Sequence, residues 1–119
     1  MKKSRTSLPR LHKTSELRRL FRLGRMVRQG GLKLFYSTGS PGPARVAVCN
    51  GRGFRTAVDR NRSKRVSREA MRIFQERLVP GVDMALVGYP SDTLQTCLSR
   101  RQDQLRVLLE RAELLEPRR

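Results

Sequence analysis

The segment from residue 59 to residue 78 constrains the fold most, because its apolar residues recur with a helical period. Successive residues of an α-helix turn by about 100°. With that step, the apolar side chains fall on one broad arc: Val66, Ala70, Met71, Ile73, Phe74 and Leu78. Pro80 and Gly81 end the segment. We therefore predict one long helix whose apolar arc covers a sheet.

A second arc of the predicted helix is cationic. Its members are Lys64, Arg65, Arg68 and Arg72, and Arg60 and Arg62 lie in the first turn. Glu69 and Glu76 can pair with arginines four residues away, but two carboxylates cannot neutralise six cations. Cations near a helix N-terminus are unfavourable unless an anion binds there, and the free N–H groups of that end bind phosphate. A solvated helix face is the alternative, and the uncompensated charge favours a polyanion-binding surface.

Three apolar segments of strand length accompany this helix: residues 32–36, 45–49 and 83–89. The first two flank a stretch rich in Gly, Ser and Pro, so we predict that they pair as a hairpin. The segment 50–56, rich in glycine and arginine, is interpreted as a loop that can extend the second strand.

A shorter helix is predicted before the strands and another after them. Thr14 or Ser15 can cap the first helix, and Gly24 ends it. Ser99 and Gln102 form the pattern of a capping box at the start of the last helix. The apolar residues of the two helices are Leu17, Leu20 and Phe21, and then Leu105, Leu108, Leu109, Ala112 and Leu115.

The predicted order of elements, α-β-β-(β)-α-β-α, indicates an α+β fold in the form of an α/β sandwich with helices on one face of the sheet. A chain of 119 residues suits one compact domain with a modest core. We therefore predict a single domain over residues 14–116 and a basic, flexible N-terminal arm over residues 1–13.

Charge narrows the class of partner. Lys and Arg number 27, Asp and Glu number 10, and the net charge is +17. An anionic partner would relieve the resulting repulsion. Most of the cations are arginines, which bind phosphate oxygens in pairs and stack on bases. Nucleic acid is therefore the leading candidate, and the use of arginine slightly favours folded RNA over a membrane surface. No segment approaches the roughly 20 apolar residues of a membrane span, so a membrane surface is the weaker alternative.

Cysteine and histidine usage restricts other functions. Cys49 and Cys97 stand far apart and His12 is the only histidine, so a zinc site with four protein ligands is nearly excluded. Two reduced, largely buried thiols in a cytoplasmic protein are the ordinary interpretation. The basic N-terminus lacks the apolar region of a secretory signal, and an Arg-rich transit peptide is the alternative.

The spacing R-N-R-x-K-R-x-x-R-E at residues 60–69 resembles the signature of the bacterial ribonuclease P protein subunit. The segments "LRRLFRLG", "LFY", "RVAV", "PGVDMALVGY" and "ERAELL" follow in the family's order, so the resemblance covers about residues 12–115. It implies an α/β sandwich related to a domain of a small-subunit ribosomal protein, with a left-handed β-α-β crossover. Parallel crossovers are right-handed in about 98% of cases, so residue-level physics does not predict this hand.

The resemblance also implies a function in the 5′ maturation of precursor tRNA. One protein subunit is expected to bind the catalytic RNA subunit and the single-stranded 5′ leader, which is removed by endonucleolytic cleavage. Mg²⁺ bound mainly by the RNA subunit is expected to carry the hydrolysis. This chain, with His12 alone and its acidic residues scattered singly, lacks the acid/base pair or carboxylate cluster of protein nucleases. No catalytic residue and no metal ligand is predicted in it, and Asp59 is interpreted as a helix cap.

Site residues follow from the family's motif. The central helix is expected to bind the RNA subunit through Arg60, Asn61, Arg62, Lys64, Arg65, Arg68 and Arg72. The leader is expected in a groove between this helix and the sheet, because aromatic faces accept unpaired bases of any sequence. The expected leader-binding residues are Leu17, Phe21, Phe35, Tyr36, Arg52 and Arg55. For the aromatic residues, packing in the core is the alternative.

Two positions depart from the family pattern. Leu17 stands where many members carry an aromatic residue, so one stacking surface is missing. Where the family typically reads "SVSKK-x-GNAV", this chain reads "CNGRGFRTAV", and Arg52 and Arg55 are expected to replace the lysines.

Three other classes of protein fit parts of the pattern. A ribosomal protein shares the composition and fold class, but the RNR spacing and the pair Phe21 and Phe35 favour ribonuclease P. A nuclease acting without RNA would need the missing histidine or carboxylate cluster. A DNA-binding module would carry a similar helix, since a basic helix alone does not distinguish DNA from RNA.

Overall fold

The structure is a computed structural model that describes residue 11, residues 13–90 and residues 98–116. These residues form four strands and three α-helices. The strands are β1 (Arg25–Gln29), β2 (Leu32–Ser37), β3 (Arg45–Asn50) and β4 (Asp83–Gly88). The helices are α1 (Thr14–Leu23), α2 (Ala57–Arg72) and α3 (Leu98–Arg111), and a short 3-10 turn at Gln75–Arg77 follows α2.

The strands form one mixed sheet in the order β1-β2-β4-β3. β2 is antiparallel to β1 and to β4, whereas β3 and β4 are parallel and are connected through α2 as a β-α-β crossover. The predicted hairpin between the segments 32–36 and 45–49 is therefore wrong, because β4 lies between them. The hairpin is instead formed by β1 and β2 around Gly30, whose φ of 57° suits glycine.

β1 was not predicted from the sequence. The reason is that β1 is a polar edge strand, in which Val27 packs against the main core and Met26 is 45% exposed. A strand of this kind lacks the clear apolar alternation on which prediction depends. The segment 50–56 is a loop from Gly51 onward, as predicted, because β3 continues only through Asn50.

Both faces of the sheet are covered, which corrects the expectation of helices on one face. The main core lies between one face and the helices α2 and α3, and it includes Leu34, Met84, Leu86, Leu105 and Leu108. On the other face, Leu20 of α1 packs against Ala47 and Ala85. Leu11, from the predicted N-terminal arm, is buried in this second core, and its N–H donates to the Val46 carbonyl at 3.1 Å.

α2 begins earlier and ends earlier than the periodicity predicted. Thr56, not Asp59, is the cap, because its hydroxyl accepts a hydrogen bond from the Asp59 N–H at 3.0 Å. Arg60 is consequently in the second turn, and its N–H bonds to the Thr56 carbonyl. The predicted placement of Arg60 and Arg62 in the first turn is therefore wrong.

The buried side of α2 is also more polar than predicted. Ser63 and Ser67 face the core together with Ala70 and Met71, whereas Val66 is only half-buried. Small side chains allow a close approach to the sheet, since a Cβ at Gly88 would lie 2.9 Å from the Ser63 Oγ. The chain leaves the helix after Arg72, so the helical step no longer holds and Ile73 is 52% exposed.

The other two helices differ from prediction at their starts, and α3 also ends at Arg111, before Ala112 and Leu115 of the predicted apolar stripe. Lys13 occupies the N-cap position of α1 and makes no side-chain capping bond, so neither Thr14 nor Ser15 is the cap. Gly24 ends α1, as predicted. Ser99 lies inside α3, which already includes Leu98, so the predicted capping box is wrong.

Candidate nucleic-acid interface

A groove of about 550 Å³ follows the outer edge of β3, between α2 and the side of the fold that carries α1. One wall is a row of α2 side chains spaced four residues apart: Arg60, Lys64, Arg68 and Arg72. We call these four residues the groove row. The opposite wall contains Leu11 and Leu17, and the floor is the β3 segment 46–50. The groove is therefore cationic on one side and apolar on the other.

The groove row results from the orientation of α2. Because Ser67 and Met71 face the sheet, residues at positions 60, 64, 68 and 72 lie beside the buried arc, next to β3. The remaining predicted RNA-binding residues of α2 are exposed and do not line the groove. They are Asn61, Arg62 and Arg65, and we call them the outer surface. The seven residues predicted from the motif thus share one helix but present two surfaces.

The floor of the groove offers main-chain polar groups. The N–H groups of Arg45, at the start of β3, and of Gly51, just after it, donate toward β4, to the carbonyls of Val82 and Gly88. The Val46 carbonyl points the other way and accepts from Leu11. Val48 is two residues beyond Val46, so its main-chain groups also point outward, into the groove. The Asn50 amide donates to the Arg60 carbonyl at 3.1 Å and joins the floor to the α2 wall.

Few carboxylates compensate the cations of α2. Glu69 pairs with Arg72, three residues away, at 3.4 Å. Its partner is an arginine, as predicted, but it is not Arg65, four residues away. Among the residues that the structure describes, no other ion pair involves an α2 cation. Both members of the Glu69 pair are about half exposed, so the pair contributes little to stability. Most of the positive charge of α2 is therefore available to a polyanion.

The predicted aromatic residues are only partly brought to this site. The rings of Phe21 and Phe35 meet edge to face with centroids 4.9 Å apart, and Phe21 is 40% exposed. They lie on the α1 side of the sheet and do not line the groove, whereas Leu17 does line it. Tyr36 lies on the opposite face and packs against the main core. Phe21 and Phe35 thus lie together on the face of the sheet that carries α1, where β4 separates the strand of Phe35 from β3, and Tyr36 lies on the opposite face.

The loop between β3 and α2 carries the other two predicted leader-binding residues, Arg52 and Arg55, and both are exposed. Gly51 is required there because a Cβ at this position would overlap the ring of Tyr89. Gly53 has a φ of 105°, which favours glycine.

Cys49 is half-buried on the groove floor. Burial raises the pKa of its thiol, and the nearby charge of Lys64 opposes this effect. Cys97 and His12 lie outside the described residues. In the part of the chain that the structure describes, no three His, Cys, Asp or Glu side chains form a group that could hold a metal ion.

Two structural features were not identified in the sequence. The groove row has a regular four-residue spacing that was visible, but only the position of β3 shows that these four side chains share a wall. No sequence pattern predicts the contact between Lys33 and Tyr89, because it depends on the pairing of β2 with β4. The Lys33 Nζ lies 5.1 Å from the centroid of the Tyr89 ring.

Comparison with known proteins decides the family. The model of the ribonuclease P family matches residues 6–113. The chain belongs to the ribonuclease P protein family. It is 30% identical over 104 residues to the ribonuclease P protein component of Pelotomaculum thermopropionicum. The aligned region covers 87% of this chain and 92% of that protein. The corresponding protein of Chloroflexus aggregans is 30% identical over 106 residues, covering 89% of this chain and 78% of the relative.

Solved structures of ribonuclease P proteins share the fold. The Staphylococcus aureus protein superimposes with a TM-score of 0.78 at 18% identity, covering 90% of this chain and 97% of that chain. The Thermotoga maritima protein gives a TM-score of 0.76 at 20% identity, covering 86% and 96%. The predicted α+β fold class is confirmed. As a ribonuclease P protein component, the chain is part of an endoribonuclease holoenzyme that functions in tRNA processing. Among its described residues, no helix is long and apolar enough to cross a membrane.

Proposed function

We propose that this subunit binds two RNA segments at the same time. The outer surface of α2 binds the ribonuclease P RNA, and the groove binds the single-stranded 5′ leader of precursor tRNA. One protein serves one RNA subunit, in the cytoplasm. The observation that carries this proposal is the division of the α2 cations, because Arg62 and Arg65 are exposed outside the groove that Lys64 and Arg68 line.

The groove has the properties of a site for single-stranded RNA. A cationic wall follows the phosphates, the apolar wall accepts the sides of bases, and the main chain of Val48 supplies polar partners without selecting a sequence. Phe21, edge to face on Phe35, lies on the face of the sheet that carries α1 and offers a partly exposed ring to an unpaired base. Arg52 and Arg55 extend the cationic wall toward the start of α2.

We propose that Mg²⁺ acts in the RNA subunit and not in this chain. Among the described residues, no three His, Cys, Asp or Glu side chains form a group that could hold a metal ion. Mg²⁺ keeps several of its waters and commonly binds phosphate oxygens, which an RNA subunit supplies. The protein instead supplies positive charge that lowers the repulsion between two polyanions. Such a contribution weakens steeply with increasing salt.

Reconstitution tests the proposal. This protein is added to a bacterial ribonuclease P RNA and precursor tRNA at Mg²⁺ concentrations too low for the RNA alone. The expected result is correct 5′ cleavage that requires the RNA and the protein together. Cleavage by the protein without RNA would contradict the assigned chemistry, and no stimulation of the RNA would contradict the assigned role.

A further inference from the structure

The ring of Tyr89, just after β4, lies against the loop that connects β3 with α2. The Gly51 N–H donates to the Gly88 carbonyl at 2.8 Å, which brings position 51 beside Tyr89. A Cβ at Gly51 would overlap three atoms of the Tyr89 ring. The next residue, Pro90, is similarly close to Gly53, where an added Cβ would lie 3.0 Å from the Pro90 Cγ. Tyr89 and Pro90 therefore form a support for the first half of the loop.

The same ring also holds a cation. The Lys33 Nζ lies 5.1 Å from the centroid of the Tyr89 ring, within the range of a cation–π interaction. Lys33 alternates with Leu32 and Leu34 of the main core, so its side chain is on the other face of the sheet, with Phe35. Because Gly51 and Lys33 both contact the ring, Tyr89 organises protein groups and is poorly placed to stack on a base.

The loop is consequently fixed at both ends. The Asn50 amide bonds to the Arg60 carbonyl at one end of the loop, and Thr56 caps α2 at the other. Between these two points, the contact with Tyr89 limits the movement of the loop that carries Arg52 and Arg55. A loop already ordered before binding loses less conformational entropy when its cations contact phosphate.

We propose that Tyr89 is a positioning residue for leader binding, and that Lys33 is a further phosphate-binding residue. The ring holds Lys33 on the sheet face and fixes the loop, so that Lys33, Arg52 and Arg55 act together on the leader phosphates. This proposal rests on the proposed function, and it assigns a role to Gly51, which must lack a side chain to admit the ring.

The test compares the affinities of the reconstituted holoenzyme for precursor tRNA with a leader and for mature tRNA, across a salt series. Tyr89→Leu removes the aromatic face, and Tyr89→Phe retains it. We expect Tyr89→Leu to lower affinity for precursor tRNA about fivefold without a comparable loss for mature tRNA. Tyr89→Phe should keep the affinity of the parent protein for both. The slope of log affinity against log salt concentration should become shallower in Tyr89→Leu, by about 0.7 for each single-strand phosphate that the variant no longer binds.

Coupling separates positioning from a general loss of stability. Arg55→Ala is measured alone and in the Tyr89→Leu protein, with Arg100→Ala on α3 as a control that removes one exposed charge elsewhere. We expect Arg55→Ala to weaken leader binding several-fold in the parent and by less than half as much in Tyr89→Leu. Equal losses in both backgrounds would overturn the positioning role, whatever the thermal stability of the variants.

Gly51→Ala provides a second measurement should Tyr89→Leu unfold. Gly51→Ala should lower affinity for precursor tRNA as much as Tyr89→Leu does. In the double variant Gly51→Ala with Tyr89→Ala, the added methyl group has no ring to overlap, so no further loss of affinity is expected. If Arg62→Ala with Arg65→Ala abolished binding of the ribonuclease P RNA, but neither Lys33→Ala nor Tyr89→Leu weakened binding of precursor tRNA, this inference would be overturned and the proposed function would stand. No loss with any of these variants would overturn the proposed function itself.

Discussion

Arg45 and Asp83 are joined by two parallel hydrogen bonds, from Nε to Oδ1 at 2.9 Å and from Nη2 to Oδ2 at 3.0 Å. The pair links the first residues of the parallel strands β3 and β4. Arg45 also reaches Glu16 of α1 at 3.4 Å, and the Ser40 hydroxyl donates to Asp83 at 2.8 Å. The end of the sheet, the first turn of α1 and the loop before β3 are thus connected by one network.

Replacing Asp83 with asparagine is expected to lower the free energy of unfolding by about 2 kcal/mol, the scale of hydrogen bonds to a charged group. The Asp83 side chain is only 13% exposed, so water screens this pair less than a surface pair. Chemical denaturation at pH 7 measures the change. Asp103→Asn, at an exposed pair on α3, is the control and should change stability by less than about 0.5 kcal/mol.

The same carboxylate predicts a dependence of stability on pH. Burial opposes ionisation, but the hydrogen bonds from Arg45 and Ser40 outweigh it, and the pKa of Asp83 is lowered. A lowered pKa in the folded state stabilises the protein above the ordinary aspartate value, about 3.9. That stabilisation is lost as the pH falls from about 4 through the folded pKa. Asp83→Asn should therefore lose less stability than the parent over this range, and parallel curves would contradict the assignment.

The two surfaces of α2 should separate in binding experiments. Arg62→Ala with Arg65→Ala is expected to weaken binding of the ribonuclease P RNA and to make its salt dependence shallower, by about 0.9 for each duplex phosphate that is no longer bound. Lys64→Ala with Arg68→Ala should mainly reduce affinity for precursor tRNA that carries a leader. Filter binding at several salt concentrations measures both. Identical effects of the two double variants would show that the groove is not a separate site.

Phe21 is expected to contribute to leader binding by stacking. Phe21→Ala should weaken binding of precursor tRNA about tenfold, since base–aromatic stacking contributes about 1–3 kcal/mol, and should leave mature tRNA unaffected. Leu23→Ala is the matched control, because Leu23 is on the same helix and is 65% exposed. If Phe21→Ala reduced the affinities for precursor and mature tRNA equally, Phe21 would be a packing residue for Phe35 only.

Glu113 is expected to be a site where stability can be increased. Its φ of 61° is in the left-handed region, just after α3, where the Leu114 N–H bonds to the Leu109 carbonyl at 2.9 Å. Helices commonly end in this way with glycine, which avoids the cost of a Cβ in that conformation. Glu113→Gly should raise the free energy of unfolding by about 1 kcal/mol, whereas Glu110→Gly, inside α3, should lower it by about the same amount. Denaturation of both variants measures the contrast.

The sequence determined the class of fold and the chemistry of the partner. Helices and strands with strong apolar periodicity, such as β2, β4 and α3, were predicted because local patterning alone specifies them. The charge of α2 predicted a polyanion-binding helix and the R-N-R-x-K-R-x-x-R-E spacing predicted its family, because side-chain chemistry does not depend on the path of the chain.

Only the tertiary structure decided which residues meet. β1 and the position of β4 between β2 and β3 depend on long-range pairing, which no local pattern contains. The same is true of Ser67, which is buried on α2 because the guanidinium of Arg101, only 1% exposed, donates to its hydroxyl at 2.8 Å. That orientation of α2 directs Lys64 and Arg68 into the groove. The sequence therefore specified a basic helix, and the packing of that helix on the sheet divided its charge into two surfaces.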